Sequence, residues 1–292
     1  MIPVTFAPTC QTPEKIPEYV ALLHRTFPDA TERYSPAYLH WLYYENPDGP
    51  IIGFDAWVGD LAVAHYVCVP LRAQIQSVQP RRVLLSLNTA THPDYQGKGL
   101  FLKLATQTFA LAAEQKYEAV VGVANANSTH GFVNRLGFQL VCPLDARIGV
   151  GSIRIDPVAA RNAAQDFIRT WSQEAIAWRL ANPYRGARLA NQDNGIASFV
   201  APSTNLAFMA WTERPANPDW SLVPRRRWTD MRPRVFVGLI PPAAVRTNLY
   251  RDIPGWLRPV PLNLIYKPLT SNVPPSIAAS KVFFDFLDFD AF

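Results

Sequence analysis

The chain is poor in cysteine and methionine, with three of each in 292 residues. Cys10, Cys68 and Cys142 stand far apart and show none of the paired spacings that hold zinc. Neither a metal site nor a disulfide framework is expected, and the thiols fit a reducing compartment. Charge is also sparse: Asp, Glu, Lys and Arg make up 17% of the residues, and the net charge is +5. The one dense basic run, Arg225-Arg226-Arg227, is too short for a nucleic-acid face and lacks a recognisable module, so no nucleic-acid partner is expected. No apolar run approaches the ~18 residues that cross a bilayer. The stretch from Met1 to Pro8 lacks the basic region and apolar core of a signal peptide. A cytoplasmic protein without a membrane partner is expected.

Hydrophobic residues, by contrast, make up 49% of the chain, enough for proper cores, and the length allows two domains. The pattern is α/β. Residues 13–27 carry Ile16, Tyr19 or Val20, Leu23 and Phe27 at helical spacing. Ser35-Pro36 caps a second helix through Trp41, and Asn46-Pro47 ends it. Strands over 51–58 and 61–71 join at Gly59-Asp60. The stretch from Val83 to Phe138 organises the rest. It reads as a strand to Thr91, a turn at His92-Pro93-Asp94-Tyr95, and the loop Gln96-Gly97-Lys98-Gly99-Leu100-Phe101 opening a helix to about Gln115. An apolar strand over 119–124 follows, then a short helix opened by Asn125-Ala126-Asn127-Ser128 that stops at Leu136-Gly137-Phe138. A glycine loop between a strand and a helix N-terminus is an anion-binding device: free N–H groups point outward and the dipole adds positive charge. The expected guest is a phosphate or pyrophosphate. The Walker and dinucleotide glycine patterns are both absent.

The loop resembles the acetyl-CoA loop of the GNAT acyltransferases, Gln/Arg-x-x-Gly-x-Gly/Ala, with Gln96 and Gly99 in register and Phe101 where a small residue is usual. Asn125-x-x-Ser128 and Gly137-Phe138 resemble that family's next conserved stretch. The likeness covers residues 83–138 best, and 1–145 in the order of elements. It implies a mixed, splayed β-sheet flanked by helices, with acetyl-CoA (coenzyme A) as donor. By this resemblance the backbone of Thr89, Ala90 and Thr91 would hold the pantetheine arm. The amides of Gly97, Lys98, Gly99, Leu100 and Phe101 would hold the pyrophosphate, Gln96 would support the loop, and Asn125, Ser128 and Phe132 would complete the donor side. Phe101 either packs under the helix or crowds the phosphates.

Two departures concern the chemistry. The family commonly places an acidic Tyr seven residues after the Asn. Counted from Asn125 that position is Phe132; counted back from Gly137 it is Val133. Neither carries a hydroxyl, which leaves Ser128, Thr129 and His130 as substitutes, although helix-opening residues of this kind also serve as caps. The carboxylate often found on the strand is replaced by Ser86 and Asn88, which orient but do not titrate. His92, His65 and His130 titrate near neutrality. The candidate catalytic set is therefore Asn88, His92, Ser128 and His130.

The second part, 146–292, reads as an α+β domain, either a degenerate GNAT-like repeat or an unrelated extension. A strand pair is expected over 146–155, helices over 158–171 and 173–180, and strands over 195–201, 206–212 and 235–240. Trp178 precedes Asn182-Pro183 much as Trp41 precedes Asn46-Pro47, and no second glycine loop occurs. The aromatic tail 256–292, with Trp256 and the final Phe283 to Phe292, is expected as an edge strand or buried against the core. This part would wall off the acceptor pocket or dimerise. The resemblance thus implies an N-acetyltransferase acting on a small-molecule amine, as a monomer or homodimer. The motif combination looks like bacterial members found with surface-polysaccharide enzymes, which makes an amino sugar a reasonable acceptor, with Trp41, Tyr43, Tyr44 and Trp57 available for ring stacking. A non-catalytic acyl-CoA sensor or scaffold and an aminoacyl-tRNA-dependent enzyme are the rival readings.

Overall fold

The structure, a computed structural model, describes residues 3–203, 207–217, 220, 223–224, 232–246, 249–254 and 261–289. Arg225-Arg226-Arg227, Leu206, Trp256 and 290–292 lie outside the described residues.

After β1 (Thr5–Pro8), the helical spacing seen in sequence produces α1 (Ile16–Thr26), which buries Ile16, Tyr19, Leu22 and Leu23. The Ser35 side chain accepts from the Tyr38 N–H at 3.2 Å to cap α2 (Pro36–Tyr44), and Pro36 occupies the first position, where its missing N–H costs nothing. Asn46 ends the helix as an Asx turn, its Oδ1 accepting from the Asp48 N–H at 3.2 Å. β2 (Ile52–Val58) and β3 (Leu61–Gln74) form the expected hairpin, with Gly59 in the left-handed region at φ +57°. Then come β4 (Arg81–Thr91), α3 (Leu100–Glu114), β5 (Ala119–Ala124) and α4 (Ala126–His130), which runs into a π-helical turn over Gly131–Arg135. β6 (Gln139–Pro143) and β7 (Asp145–Gly149) close the first part.

The second part runs α5 (Pro157–Ala163), β8 (Phe167–Thr170), α6 (Gln173–Leu180), β9 (Arg188–Asp193), β10 (Ile196–Pro202), β11 (Met209–Pro215), β12 (Arg234–Leu239), β13 (Arg251–Asp252), β14 (Asn263–Pro268) and β15 (Val282–Asp285). Two local expectations fail. The helix expected over 158–171 ends at Ala163, because Phe167 and Ile168 are drawn into the sheet beside Val282 and Phe283. The strand pair expected over 146–155 is one strand, β7, followed by a lone bridge between Ile155 and Val245.

The sheet explains why a cavity exists. In the order β1-β2-β3-β4-β5-β14-β6, neighbours are antiparallel except for β4 and β5, which run parallel. This mixed sheet flanked by helices is the architecture the resemblance implied. Residues 263–268, far beyond the boundary expected at 145, supply the strand between β5 and β6. At its far end β3 passes to β8, which continues through β15 to β12. There the order of the first part recurs: the β9–β10 hairpin, β11 antiparallel to β10, β12 parallel to β11, and β7 antiparallel to β12. The aromatic tail does not form an edge, since β15 lies between β8 and β12 with Phe283 and Phe284 fully buried. No described helix is long and apolar enough to cross a membrane.

Candidate functional site

The parallel ladder between β4 and β5 runs only from Val83–Ala119 to Ser86–Gly122. Beyond that pair the strands diverge. Gly122 sits at the vertex, where an added Cβ would meet the Ser86 Cβ at 3.3 Å and the Ile265 Cγ1 at 3.4 Å, so a larger residue would push the strands apart. The β3 side of β4 is irregular at the same level. His65 pairs with Ala90 and Val67 with Leu87, so Tyr66 alone faces both Asn88 and Thr89. Asn88, at φ +50°, absorbs this bulge in a conformation that Asn tolerates better than most residues.

The gap between the strands holds a cavity of about 580 Å3. Leu87, Asn88, Thr89 and Thr91 form one wall; Val123, Asn125, Ser128 and Phe132 form the other, with Gln96 at the loop end. Phe27, Arg33 and Tyr34, from the segment joining α1 to α2, close the far side together with Leu262 and Phe289 from the second part.

The loop beside the cavity is held by its own residues. The His92 N–H donates to the Val63 carbonyl at 2.9 Å, and its Nδ1 accepts from the Asp94 N–H at 3.2 Å. Gln96 Nε2 donates to the Thr91 carbonyl at 3.3 Å, tying the loop to the end of β4. Gly97 and Gly99 both have φ +73°, which a side chain would strain, and nothing lies within 4 Å of where a Cβ would stand. Lys98 folds back, donating to the Asp94 carbonyl at 3.0 Å above the Tyr95 ring. Gly99 then heads α3. Leu100 is buried, and Phe101 packs edge-on against Tyr66 and Phe132 with centroids 5.9 and 5.1 Å away. Of the two readings of Phe101, packing under the helix is the one observed.

Asn125 caps α4, accepting from the Ser128 N–H and hydroxyl, each at 3.0 Å. Ser128 is thus both a cap and a cavity residue. Phe132, four per cent exposed, lines the cavity and Val133 does not.

Of the expected site residues, Asn88, Thr89, Thr91, Gln96, Asn125, Ser128 and Phe132 share this one cavity. Ala90 turns into the core on the opposite face. His92 is buried as a turn cap and His130 is exposed; neither lines the cavity. His65 is also buried away from it, with Nδ1 2.7 Å from Asp55 Oδ1 and Nε2 2.8 Å from the Tyr43 hydroxyl. Burial holds the Tyr43 phenol well above its ordinary range. Trp41 and Tyr43 belong to the core rather than to an acceptor wall. Sequence reasoning missed Phe27, Tyr34, Leu262 and Phe289, and also the pairing of Asp55 with His65. An aspartate inside an apolar strand, opposite a histidine across a tight hairpin, was the available signal for that pair.

Residues 10–141 match the family model of the acetyltransferase (GNAT) domain. Solved structures similar to the chain include a GCN5-related N-acetyltransferase from Anabaena variabilis, with 13% identity and a TM-score of 0.58 over 91% of this chain and 73% of that one. A GCN5-related N-acetyltransferase from Kribbella flavida has 11% identity and a TM-score of 0.56 over 91% and 72%. A conserved protein of unknown function from Enterococcus faecalis has 10% identity and a TM-score of 0.56 over 91% and 73%. At these identities the likeness is one of fold. No curated protein matches the chain.

Proposed function

We propose that the chain is an acyl-CoA-dependent N-acyltransferase that moves an acetyl group from acetyl-CoA to an amine of a small molecule. The observation that carries this reading is the wedge. β5 pairs with none of residues 87–91, and the open strand ends at a glycine loop that heads the 15-residue α3. Such a strand edge suits an extended amide-bearing arm, and such a helix head suits a diphosphate. Thr89, Ala90 and Thr91 would hold the arm through their backbone, and Gly97, Lys98, Gly99, Leu100 and Phe101 the diphosphate through their N–H groups. Acetyl-CoA bound there supplies an activated thioester. The residues near the bulge at Asn88 and Thr89 orient the reactants and exclude water, and the strand N–H groups offer donors to an oxygen that gains charge.

In this reading 1–145 hold the donor and 146–292 close the acceptor side, as Leu262 and Phe289 on the cavity support. The aromatic walls Phe27 and Tyr34 suit an amino sugar of the kind used in surface polysaccharides, in a cytoplasmic enzyme that works as a monomer or homodimer.

A second reading, a non-catalytic acyl-CoA-binding protein, is favoured by one observation. Among the described residues no carboxylate and no imidazole lines the cavity, and Phe132 has no hydroxyl to offer. Release of free thiol from acetyl-CoA across an amine library decides between them. Release that depends on an amine supports the enzyme. Calorimetric binding of acetyl-CoA without release across the library supports the second reading, and no binding at all ends both.

A further inference from the structure

Behind Asn88 a chain of buried polar groups runs away from the cavity. Asp55 and His65 are cross-strand partners in the β2–β3 hairpin, each about 1% exposed. Asp55 is fixed on its far side: Tyr19 donates to its Oδ2 at 2.7 Å, and Thr9 donates to its Oδ1 at 3.1 Å. The Tyr19 ring also stacks on His65 with centroids 4.5 Å apart. His65 Nδ1 faces Asp55 Oδ1 at 2.7 Å, and its Nε2 faces the Tyr43 hydroxyl at 2.8 Å. Asn88 Nδ2 in turn donates to the Tyr43 hydroxyl at 3.1 Å.

The order of donors follows from the first link. An ionised carboxylate only accepts, so the proton of a neutral His65 sits on Nδ1 and leaves Nε2 an acceptor. Tyr43 must then donate to Nε2, and its oxygen accepts from Asn88 Nδ2. The remaining end of the Asn88 amide, Oδ1, has no hydrogen-bond partner among the described residues. Of the four residues only Asn88 lines the cavity.

We infer that Asp55, His65 and Tyr43 are positioning residues that hold the Asn88 amide with its oxygen towards the cavity, where it accepts an N–H of the incoming amine. An amine attacks through its lone pair. An oxygen that takes one N–H limits rotation of that nitrogen and leaves the lone pair free. An inverted amide would present Nδ2 and donate to the lone pair, blocking attack. This inference rests on the acyltransferase reading for its purpose, but the direction of the hydrogen-bond chain can be measured without any acceptor.

Two measurements on the full chain test it. In heteronuclear NMR spectra of isotope-labelled protein near neutral pH, His65 is expected to carry its proton on Nδ1 with Nε2 bare. A bare Nδ1, or a ring protonated on both nitrogens, overturns the inference. In steady-state kinetics with acetyl-CoA and glucosamine as the probe amine, Tyr43→Phe is expected to lower kcat/KM for the amine about 10- to 100-fold while calorimetric affinity for acetyl-CoA holds. Asn88→Ala removes the amide altogether, so its orientation no longer matters. Adding Tyr43→Phe to Asn88→Ala should then change kcat/KM by less than about twofold. A loss as large in that background as in the wild type leaves the three residues only a packing role and overturns the inference. Asp55→Asn, which lets His65 take the other tautomer, stands in for Tyr43→Phe if the latter does not fold, with the same pattern expected. If the wild type binds no acetyl-CoA, the acyltransferase reading fails, while the His65 tautomer still decides the hydrogen-bond chain.

Discussion

The indole N–H of Trp41 donates to the Trp178 carbonyl at 2.8 Å, and the indole N–H of Trp178 donates back to the Trp41 carbonyl at 3.1 Å. The two rings stack with centroids 4.7 Å apart and planes 16° from parallel. Each residue gives the other what it receives, so α2 and α6 meet across a local two-fold relationship. Each helix also ends in an Asn-Pro turn whose Asn Oδ1 accepts from the N–H two residues on. This contact joins the two parts of the chain behind the cavity.

Trp178→Ala is therefore expected to cost about 3–5 kcal/mol, the usual range for deleting a buried large aromatic. Trp178→Phe keeps much of the stack and loses one indole hydrogen bond, while the Trp41 carbonyl still accepts from the Glu45 N–H at 3.3 Å, and should cost about 0.5–1.5 kcal/mol. Chemical denaturation checks both. Equal losses for the two variants would mean that the ring contact contributes little.

Gly99→Glu should abolish acetyl-CoA binding. The residue sits at φ +73°, where a side chain adds about 1–2 kcal/mol of strain, and the new carboxylate stands at the helix head that the proposed diphosphate would use. Gly99→Ala carries the strain without the charge. Calorimetry should show a modest loss of affinity for Gly99→Ala and none detectable for Gly99→Glu, with both remaining folded by circular dichroism. Full affinity in Gly99→Glu would move the donor site elsewhere.

The glycine loop and the cap of α4 were legible because they are local. Gln96, Gly97, Gly99 and Asn125 act through the backbone of their own turns, and their spacing is visible in one stretch of chain. The far wall of the cavity was not. Leu262 reaches the cavity beside β14, which pairs between β5 and β6, and Phe289 follows β15, which pairs between β8 and β12; no short-range pattern announces strands inserted from so far along the chain. The helix expected over 158–171 failed for the same reason. Phe167 and Ile168 read as part of an apolar helical face until β15 offers them a partner. His65 was recognised as a titratable group, but its role depends on Asp55 and Tyr43, which only the hairpin register brings together.

A pH dependence follows from a second buried cluster. Arg214, on β11, faces Asp288 at 3.1 Å and Asp285 at 3.6 Å, all three fully or almost fully buried. Asp288 takes the closer pairing. Burial, which outweighs the attraction of Arg214, together with the neighbouring Asp288 charge, pushes Asp285 up to about 6. Between about pH 4 and about pH 6 the folded protein then binds more protons than the unfolded chain, so this group's contribution to stability falls as pH rises through that window. The fall is bounded by about 3 kcal/mol. Asp285→Asn should remove it: wild type minus variant, measured by denaturation at several pH values, should slope downward with pH in that window and be flat above it. A flat difference throughout would show that Asp285 is ionised across the range.

Phe132 has no hydroxyl to offer the cavity it lines. Its ring packs against Phe101 and Phe138, each with centroids 5.1 Å away. A leaving thiolate benefits from a nearby proton donor, and a positioned acid is commonly worth about 100-fold or more. The described lining offers hydroxyls only from Ser and Thr residues and Tyr34, and Ser128 already serves Asn125. Phe132→Tyr adds a phenol to an already aromatic niche with almost no change in ring packing. It is expected to raise kcat about tenfold or more with little effect on KM for acetyl-CoA, and the gain should fade above the phenol's pKa as the added hydroxyl ionises. A variant that folds and binds acetyl-CoA yet turns over no faster would mean that proton delivery to the thiolate does not limit turnover.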